Sequence, residues 1–388
     1  MTRRSRNHVR VLFTCSACAL IAGCGGDAAR GARTAPGAAS AQTTPLYFSN
    51  WEGEIGRNTL AEFQRRTGIP VVLDLIADNV SLQTKLLTGH SGIDVIVPGS
   101  NFLQPLIATG ALLKLDKSRL PNWHHLDPAI LSALERMDPG NQYGVPYVWG
   151  TQGFAYNAAA VTRALGHEPQ PSWRLLFDPA FARRLANCGI AWQDSAGSIM
   201  VDLALLALGR DPAGESIDDL KAAEGALLAV RPYVRYIDSS ERFRTDLATG
   251  AICIATGASG DLLQARDIAR QNGTGVDVRY VIPEEGALMW VDLLVIPVDA
   301  PHPEAAYRFV DFLLDPAIIA DVTKASRFAN ANREAEALVD PATRSDPGIY
   351  PPPEAMRRLH LVPAESQEYT RLRSRMWMRV LAQEQHAR

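Results

Sequence analysis

Between residues 46 and 98 the chain alternates two apolar rhythms, and that alternation limits the folds open to it. Leu46–Asn50 (LYFSN) carries a strand pattern, residues 51–56 (WEGEIG) break it with loop residues, and Thr59–Thr67 follows with helical periodicity until Gly68 stops it. Residues 69–75 then predict a second strand, 81–88 a second helix, and 93–98 (IDVIVP) a third strand. Strands and helices in this order predict an α/β domain with a mostly parallel sheet. Ligands meet such sheets at the carboxyl ends of the strands, which is where Trp51, Gly99, Ser100 and Asn101 fall.

At residues 143–157 (YGVPYVWGTQGFAYN) the rhythm changes to short apolar pieces broken by Gly and Pro, which predicts a crossover into a second domain. A second α/β block follows, with strands at 189–192, 234–237 and 251–256 and helices at 198–208, 217–230, 241–249 and 261–271. Residues 276–283 return to the first block, and a strand in 286–297 with a helix at 303–314 completes it. The expected division is therefore one lobe of residues 45–148 and 277–330 and another of 149–276 and 331–388. With 388 residues, 47% of them hydrophobic, each lobe can bury its own core. A cleft between two lobes is a common ligand site.

Charge excludes one class of partner. Thirty-nine basic residues against forty-two acidic ones leave no excess to release counterions from a phosphate backbone, so no nucleic-acid partner is expected. Arg3, Arg4, Arg6 and Arg10 precede an apolar run at 11–22 that is too short to span a bilayer, and this predicts an export signal in residues 1–23. Its ending, Leu20-Ile21-Ala22-Gly23-Cys24, resembles a bacterial lipobox, which implies a lipidated Cys24 and a membrane anchor; ordinary signal cleavage further on is the other reading. Residues 24–44 are rich in Gly, Ala, Ser and Thr and predict a flexible tether. Cys188 and Cys253 remain in the folded part, either as a disulfide or as two separate buried thiols.

Within residues 286–297 (GALMWVDLLVIP), Trp290 and Asp292 stand two apart and share one face of a strand. An indole and a carboxylate turned into the same water-poor space suit an ammonium group. A core Trp beside an Asp that caps a loop is the plainer reading. Asp261 follows a predicted strand end in Gly257-Ala258-Ser259-Gly260-Asp261, where it serves equally as a ligand carboxylate or a helix cap. Asp194 and Ser239 follow the strands at 189–192 and 234–237 in the same way, so that one cation could meet several acids. There is no G-x-S-x-G elbow, Walker loop, H-E-x-x-H or zinc-spaced Cys/His cluster, and the adjacent His124 and His125 are expected at the surface. Neither cofactor nor metal is expected.

These stretches together resemble the periplasmic polyamine-binding proteins of ABC transporters, most closely the putrescine-binding branch. The likeness runs from Leu46 to about Met378 through Asn50-Trp51, TKLLTGHSGIDVIVPGSNFL, LDKSRLPNW, MDPGNQYGVPYVWGTQGFAYN, DLATGAICIATGASGDLLQA, IPEEGALMWVDLLVIP, FANAN and DPGIYPP, in order and spacing. The resemblance implies the type II periplasmic binding protein fold, two lobes closing on a small cationic amine, delivery to a membrane permease, and no catalysis. It also implies a monomer in the periplasm and a disulfide between Cys188 and Cys253.

Carried across by position, Trp51 and Trp290 match aromatic walls, Ser239 a hydroxyl, Asp261 a carboxylate, Asp292 the amine-gripping carboxylate and Asp194 an acid near the pocket. The departures are Glu52, Gly53 and Glu54 where the family reads a small hydroxyl residue, an acid and Tyr, together with Gly99 for serine, Ser198 for glutamate, Ala258 for tryptophan and Phe328 for tyrosine. Losing the ring at Ala258 and the acid at Ser198 removes a stacking surface and a countercharge from one end. The expectation is an amine held near Asp261, Trp290 and Asp292 with something different or bulkier at the far end. Glu52 and Glu54 either restore the missing charge or stand as exposed loop acids. A neutral or zwitterionic ligand, a sensory co-receptor and, least favoured, an enzyme on this fold are the rival readings.

Overall fold

The computed structural model describes residues 44–76, 79–193, 198–238 and 240–383, side chains excepted at 79, 80, 198 and 240. The expected signal at 1–23, Cys24 and all of the tether but Thr44 lie outside the described residues. Strands β1 (Leu46–Asn50), β2 (Val71–Leu75) and β3 (Val95–Ile96) form a parallel sheet in the order β2-β1-β3. The helix Thr59–Thr67 ends at Gly68, whose φ of 76° lets its N–H return to the Gln64 carbonyl. Phe63 on that helix and Phe48 on β1 each meet Phe309, with ring centroids 4.9 Å apart in both pairs, so the helix Pro303–Leu313 closes the layer.

The third strand is shorter than residues 93–98, and at its start a side chain takes a backbone donor of β1. Asp94, fully buried, accepts hydrogen bonds from the backbone N–H groups of Tyr47 at 2.9 Å and His302 at 2.6 Å. Residue 99 already begins the turn into the helix Ser100–Ala108.

The larger sheet is built on β4 (Val145–Asn157), with β5 (Ile190–Gln193), β6 (Val234–Asp238), β7 (Ile254–Ala258), β8 (Val278–Val281), β9 (Ala287–Leu294), β10 (Ala329–Asn330) and β11 (Leu359–Leu361). Its order is β11-β9-β4-β7-β5-β6, with β8 and β10 also on β4. This sheet is mixed rather than mostly parallel, since β4 runs antiparallel to β7, β8, β9 and β10. The segment expected as broken crossover pieces is one strand of 13 residues. Its glycines are sites of close approach, not breaks: a Cβ on Gly150 would lie 2.7 Å from Trp290 Cζ2, and one on Gly153 would lie 2.4 Å from the Val281 carbonyl oxygen. Pro146 sits where the β4–β9 register shifts, at a bulge that needs no donor.

The strand expected at 251–256 begins at Ile254 and reaches Ala258. The next helix therefore starts at Ser259, which places Asp261 inside its first turn rather than at its cap.

Apolar side chains gather into distinct cores. One holds Phe48, Val95, Leu103, Val145, Leu293 and Phe309, and Ala331, Ala335, Val339 and Ile349 pack with it. A second holds Phe154, Trp173, Trp192, Leu203, Leu227, Ile254 and Trp377, and a smaller one holds Phe243, Leu247 and Leu262. Strand β4 supplies Val145 to Trp149 of the first core and Phe154 and Tyr156 of the second.

Cys188 and Cys253 form a disulfide with Cα atoms 5.4 Å apart, tying the entries of β5 and β7. The helix Gln367–Ala382 is pinned on Ser198–Ala207 by a buried ion pair between Arg373 and Asp202. Among the described residues no helix is long and apolar enough to cross a membrane.

Candidate ligand-binding site

Strand β1 ends at Asn50, and the next four residues build one wall of the site. Gly53 has φ 78°, a left-handed turn that glycine adopts freely, and it separates two acids of opposite fate. Glu52 is exposed, whereas Glu54 turns inward and is only 6% exposed. The Glu54 carbonyl fixes this loop by accepting from Asn50 Nδ2 at 2.8 Å and from the Tyr147 hydroxyl at 2.7 Å. Of the two acids left open by the sequence, Glu54 is the one brought into the interior.

Its side chain meets Asp292 of β9, which is 7% exposed, and the two carboxyl groups share a hydrogen bond. Burial pushes the Asp292 carboxyl up to about 7, with the Glu54 hydrogen bond working against it. Glu54 is held well above the ordinary carboxylate range, first by burial and then by the charge and hydrogen bond of Asp292 and the charge of Asp261. Two acids that cannot both ionise share a proton. Glu54 Oε2 and the indole Nε1 atoms of Trp51 and Trp290 are buried with no hydrogen-bond partner among the described residues. Burying such atoms unpaired is costly, so together they mark a surface shaped for something else.

The aromatic side of the site is set by small residues. Trp290 stands two positions before Asp292 on β9, as strand periodicity predicts, and packs edge-on against Phe328 with centroids 4.7 Å apart. A Cβ on Gly150 or Gly260 would strike Trp290 or Phe328, so both glycines are seats for these rings. Trp51, Ala258, Trp290 and Phe328 belong to one apolar cluster, and Ala258 is buried. Gly99 forms an antiparallel bridge with Asp292, fixing the backbone that carries the carboxylate.

Asp261 enters the electrostatics of Glu54, and its carboxylate also accepts from Arg244 Nη1 at 3.2 Å. Arg244 bonds Gln264 Oε1 at 2.9 Å as well. Asp194 and Ser239 lie outside the described residues, as does the side chain of Ser198. Tyr147, Gly150 and Arg244 are the participants that sequence reading missed. The apolar β4 pattern could have placed Tyr147 and Gly150, but nothing in the sequence links Arg244 to Asp261 on another helix. The His124 and His125 rings lie tilted at 41° with centroids 3.8 Å apart beside Glu334, and these three are the group of possible metal-ligating side chains found among the described residues.

Two α/β cores joined through shared strands, with buried acids and indoles facing one another, define the class of small-solute receptors. The sequence matches the family described as bacterial extracellular solute-binding protein over residues 58–351, and the chain belongs to that family. It is 42% identical over 344 residues to the putrescine-binding periplasmic protein SpuD of Pseudomonas aeruginosa, covering 88% of this chain and 93% of the relative. It is 37% identical over 346 residues to the putrescine-binding periplasmic protein PotF of Escherichia coli, covering 89% and 93%. The fold is similar to the crystal structure of the spermidine/putrescine substrate-binding protein PotD of Streptococcus pneumoniae, with a TM-score of 0.75, 24% identity, and 87% and 98% of the two chains covered.

Proposed function

We propose that this protein captures a polyamine of the putrescine type, or a related cationic amine, outside the cytoplasm and delivers it to an ABC permease. The observation that carries the reading is the buried Glu54–Asp292 pair beside the Trp51 and Trp290 indoles. An ammonium supplies the countercharge that the two acids lack, its N–H groups satisfy Glu54 Oε2, and indole faces attract a cation. The relatives named for putrescine support the same ligand class. Binding, not turnover, is the activity. Closure of two lobes on the ligand follows from its bridging both, with the lobes meeting along β4 and β9 and with residues 331–349 packed with the first. Trp51, Glu54, Asp261, Trp290, Asp292 and Phe328 are the proposed contacts, and the sequence match adds Asp194, Ser239 and the Ser198 side chain, which lie outside the described residues. Glu52, exposed, is dropped from the set. Lipidation of Cys24 and a tether to residue 44 would hold the domain at a membrane; mass spectrometry of the mature protein tests this.

A second reading has an observation in its favour. Because Arg244 already meets Asp261, a ligand cationic at one end only suits the site as well as a diamine. Thermal melts with putrescine, cadaverine, spermidine, spermine, agmatine and choline-like monocations separate the two. Ligand at a hundredfold excess over Kd adds about 2.7 kcal/mol, which a melting curve resolves. Stabilisation by diamines supports the first reading, and by monocations alone the second. No response to any amine overturns both.

A further inference from the structure

We infer that amine capture by this protein is coupled to proton release: the unliganded site holds one proton between Glu54 and Asp292, and an incoming ammonium takes its place. This rests on the amine reading above. The geometry is a pair of acids buried together, 6% and 7% exposed, with Glu54 Oε2 left without a hydrogen-bond partner among the described residues. Among the described residues no cationic side chain pairs with either one.

The groups facing the pair can be named from each element packed on it. Tyr147, on β4, is a phenol that burial keeps protonated, and it donates to the Glu54 carbonyl rather than to a carboxylate. Asp261, on the helix Ser259–Gln271, adds negative charge, and its own partner Arg244 comes from the helix Ser240–Thr249. Gly99 offers only backbone, and Phe328 and Trp290 are uncharged. Glu52 points to solvent. A proton is therefore the cation available to the pair before a ligand arrives.

The exchange balances. The Glu54 carboxyl loses its O–H proton to water, the pair goes from one negative charge to two, and the ligand ammonium brings one positive charge. The net charge of the buried site, ammonium included, is the same before and after. A low-dielectric site resists changes in its total charge, which is why the proton leaves as the ammonium enters. Aliphatic ammonium groups titrate near 10, so across pH 7–8.5 the ligand itself gives up almost no proton.

The test is calorimetric titration of the mature protein with putrescine in two buffers of different ionisation enthalpy, together with Kd across pH 7–8.5, above the value near 7 to which burial pushes Asp292. The expected result is about one proton released per putrescine bound and affinity rising about tenfold per pH unit. In Glu54→Gln the acid that remains is Asp292, pushed up to about 7 by burial, so binding weakens and its pH and buffer dependence die out above about pH 7. Glu52→Gln, on the exposed side of the same turn, keeps the wild-type behaviour. Wild-type binding with a flat pH profile and equal enthalpies overturns the proton coupling and leaves amine capture standing. Folded protein that binds no amine at any pH overturns the amine reading instead. Proton release at pH 8 that is unchanged in Glu54→Gln overturns the assignment to this pair. If Glu54→Gln does not fold, the two-buffer comparison on wild type decides.

Discussion

Replacing Asp292 with Asn should make the ligand-free protein more stable at pH 8 while destroying amine binding. The carboxyl is raised from an ordinary value of 3.8 to about 7 by burial. A group that binds its proton more tightly in the folded state than in the unfolded state loses stability as pH climbs between those two values. At about 1.36 kcal/mol per unit, keeping Asp292 ionised above pH 7 costs about 4 kcal/mol. Asn carries no charge but fits the Glu54 hydrogen bond less well, a loss of about 1–2 kcal/mol. The net gain is about 2–3 kcal/mol at pH 8 and close to zero at pH 5. Over roughly 340 folded residues, unfolding entropy is about 0.7 kcal/mol per kelvin, so Tm should rise by about 3–4 °C. Differential scanning calorimetry of both proteins at pH 5 and pH 8 is the assay. A lower Tm for Asp292→Asn at pH 8, or an equal gain at both pH values, would refute ionisation of a buried acid as the cause.

Three further outcomes follow from other parts of the molecule. The disulfide joins cysteines 65 apart in sequence, so the double change of Cys188 and Cys253 to Ala should cost about 4 kcal/mol, or about 6 °C, in non-reducing calorimetry; a loss under 1 kcal/mol contradicts that loop-closure estimate. Arg373→Met strands Asp202, which burial has already pushed up to about 7, and should cost about 3–5 kcal/mol in urea unfolding, with Asp202→Leu recovering much of it in the double variant. Trp290→Ala removes an indole from the ammonium seat and should weaken putrescine binding by roughly 2- to 30-fold in calorimetric titration, with no change meaning that the ring is packing only.

Much of this fold was readable from local pattern. The alternation at 46–98 marks the parallel sheet because each element there is short, amphipathic and bounded by Gly or loop residues. Strand β4 was misread because Gly150 and Gly153 look like breakers in one dimension. Only the partner side chains, Trp290 and Tyr280 with the Val281 carbonyl, reveal that space rather than flexibility is what they provide. The pairing of Trp290 with Asp292 was legible from period two alone. The choice between Glu52 and Glu54 was not, since it depends on the left-handed turn at Gly53 and on the Tyr147 hydroxyl reaching from 93 residues away. The Arg244–Asp261 contact joins two helices whose spacing carries no such signal.

Strand β4 also decides where this chain can be cut. Because it pairs with four other strands and feeds two cores, it works less like a hinge between parts than like a keel to which both are fastened. Dividing the polypeptide between 149 and 154 would give two fragments, each with a bare hydrogen-bonding edge, and such edges stick to other chains before they find each other. A nick in an exposed turn such as the one at Gly273 would leave the keel whole. The two halves of the receptor are thus one hereditary unit, tolerant of surgery at the rim and intolerant of it amidships.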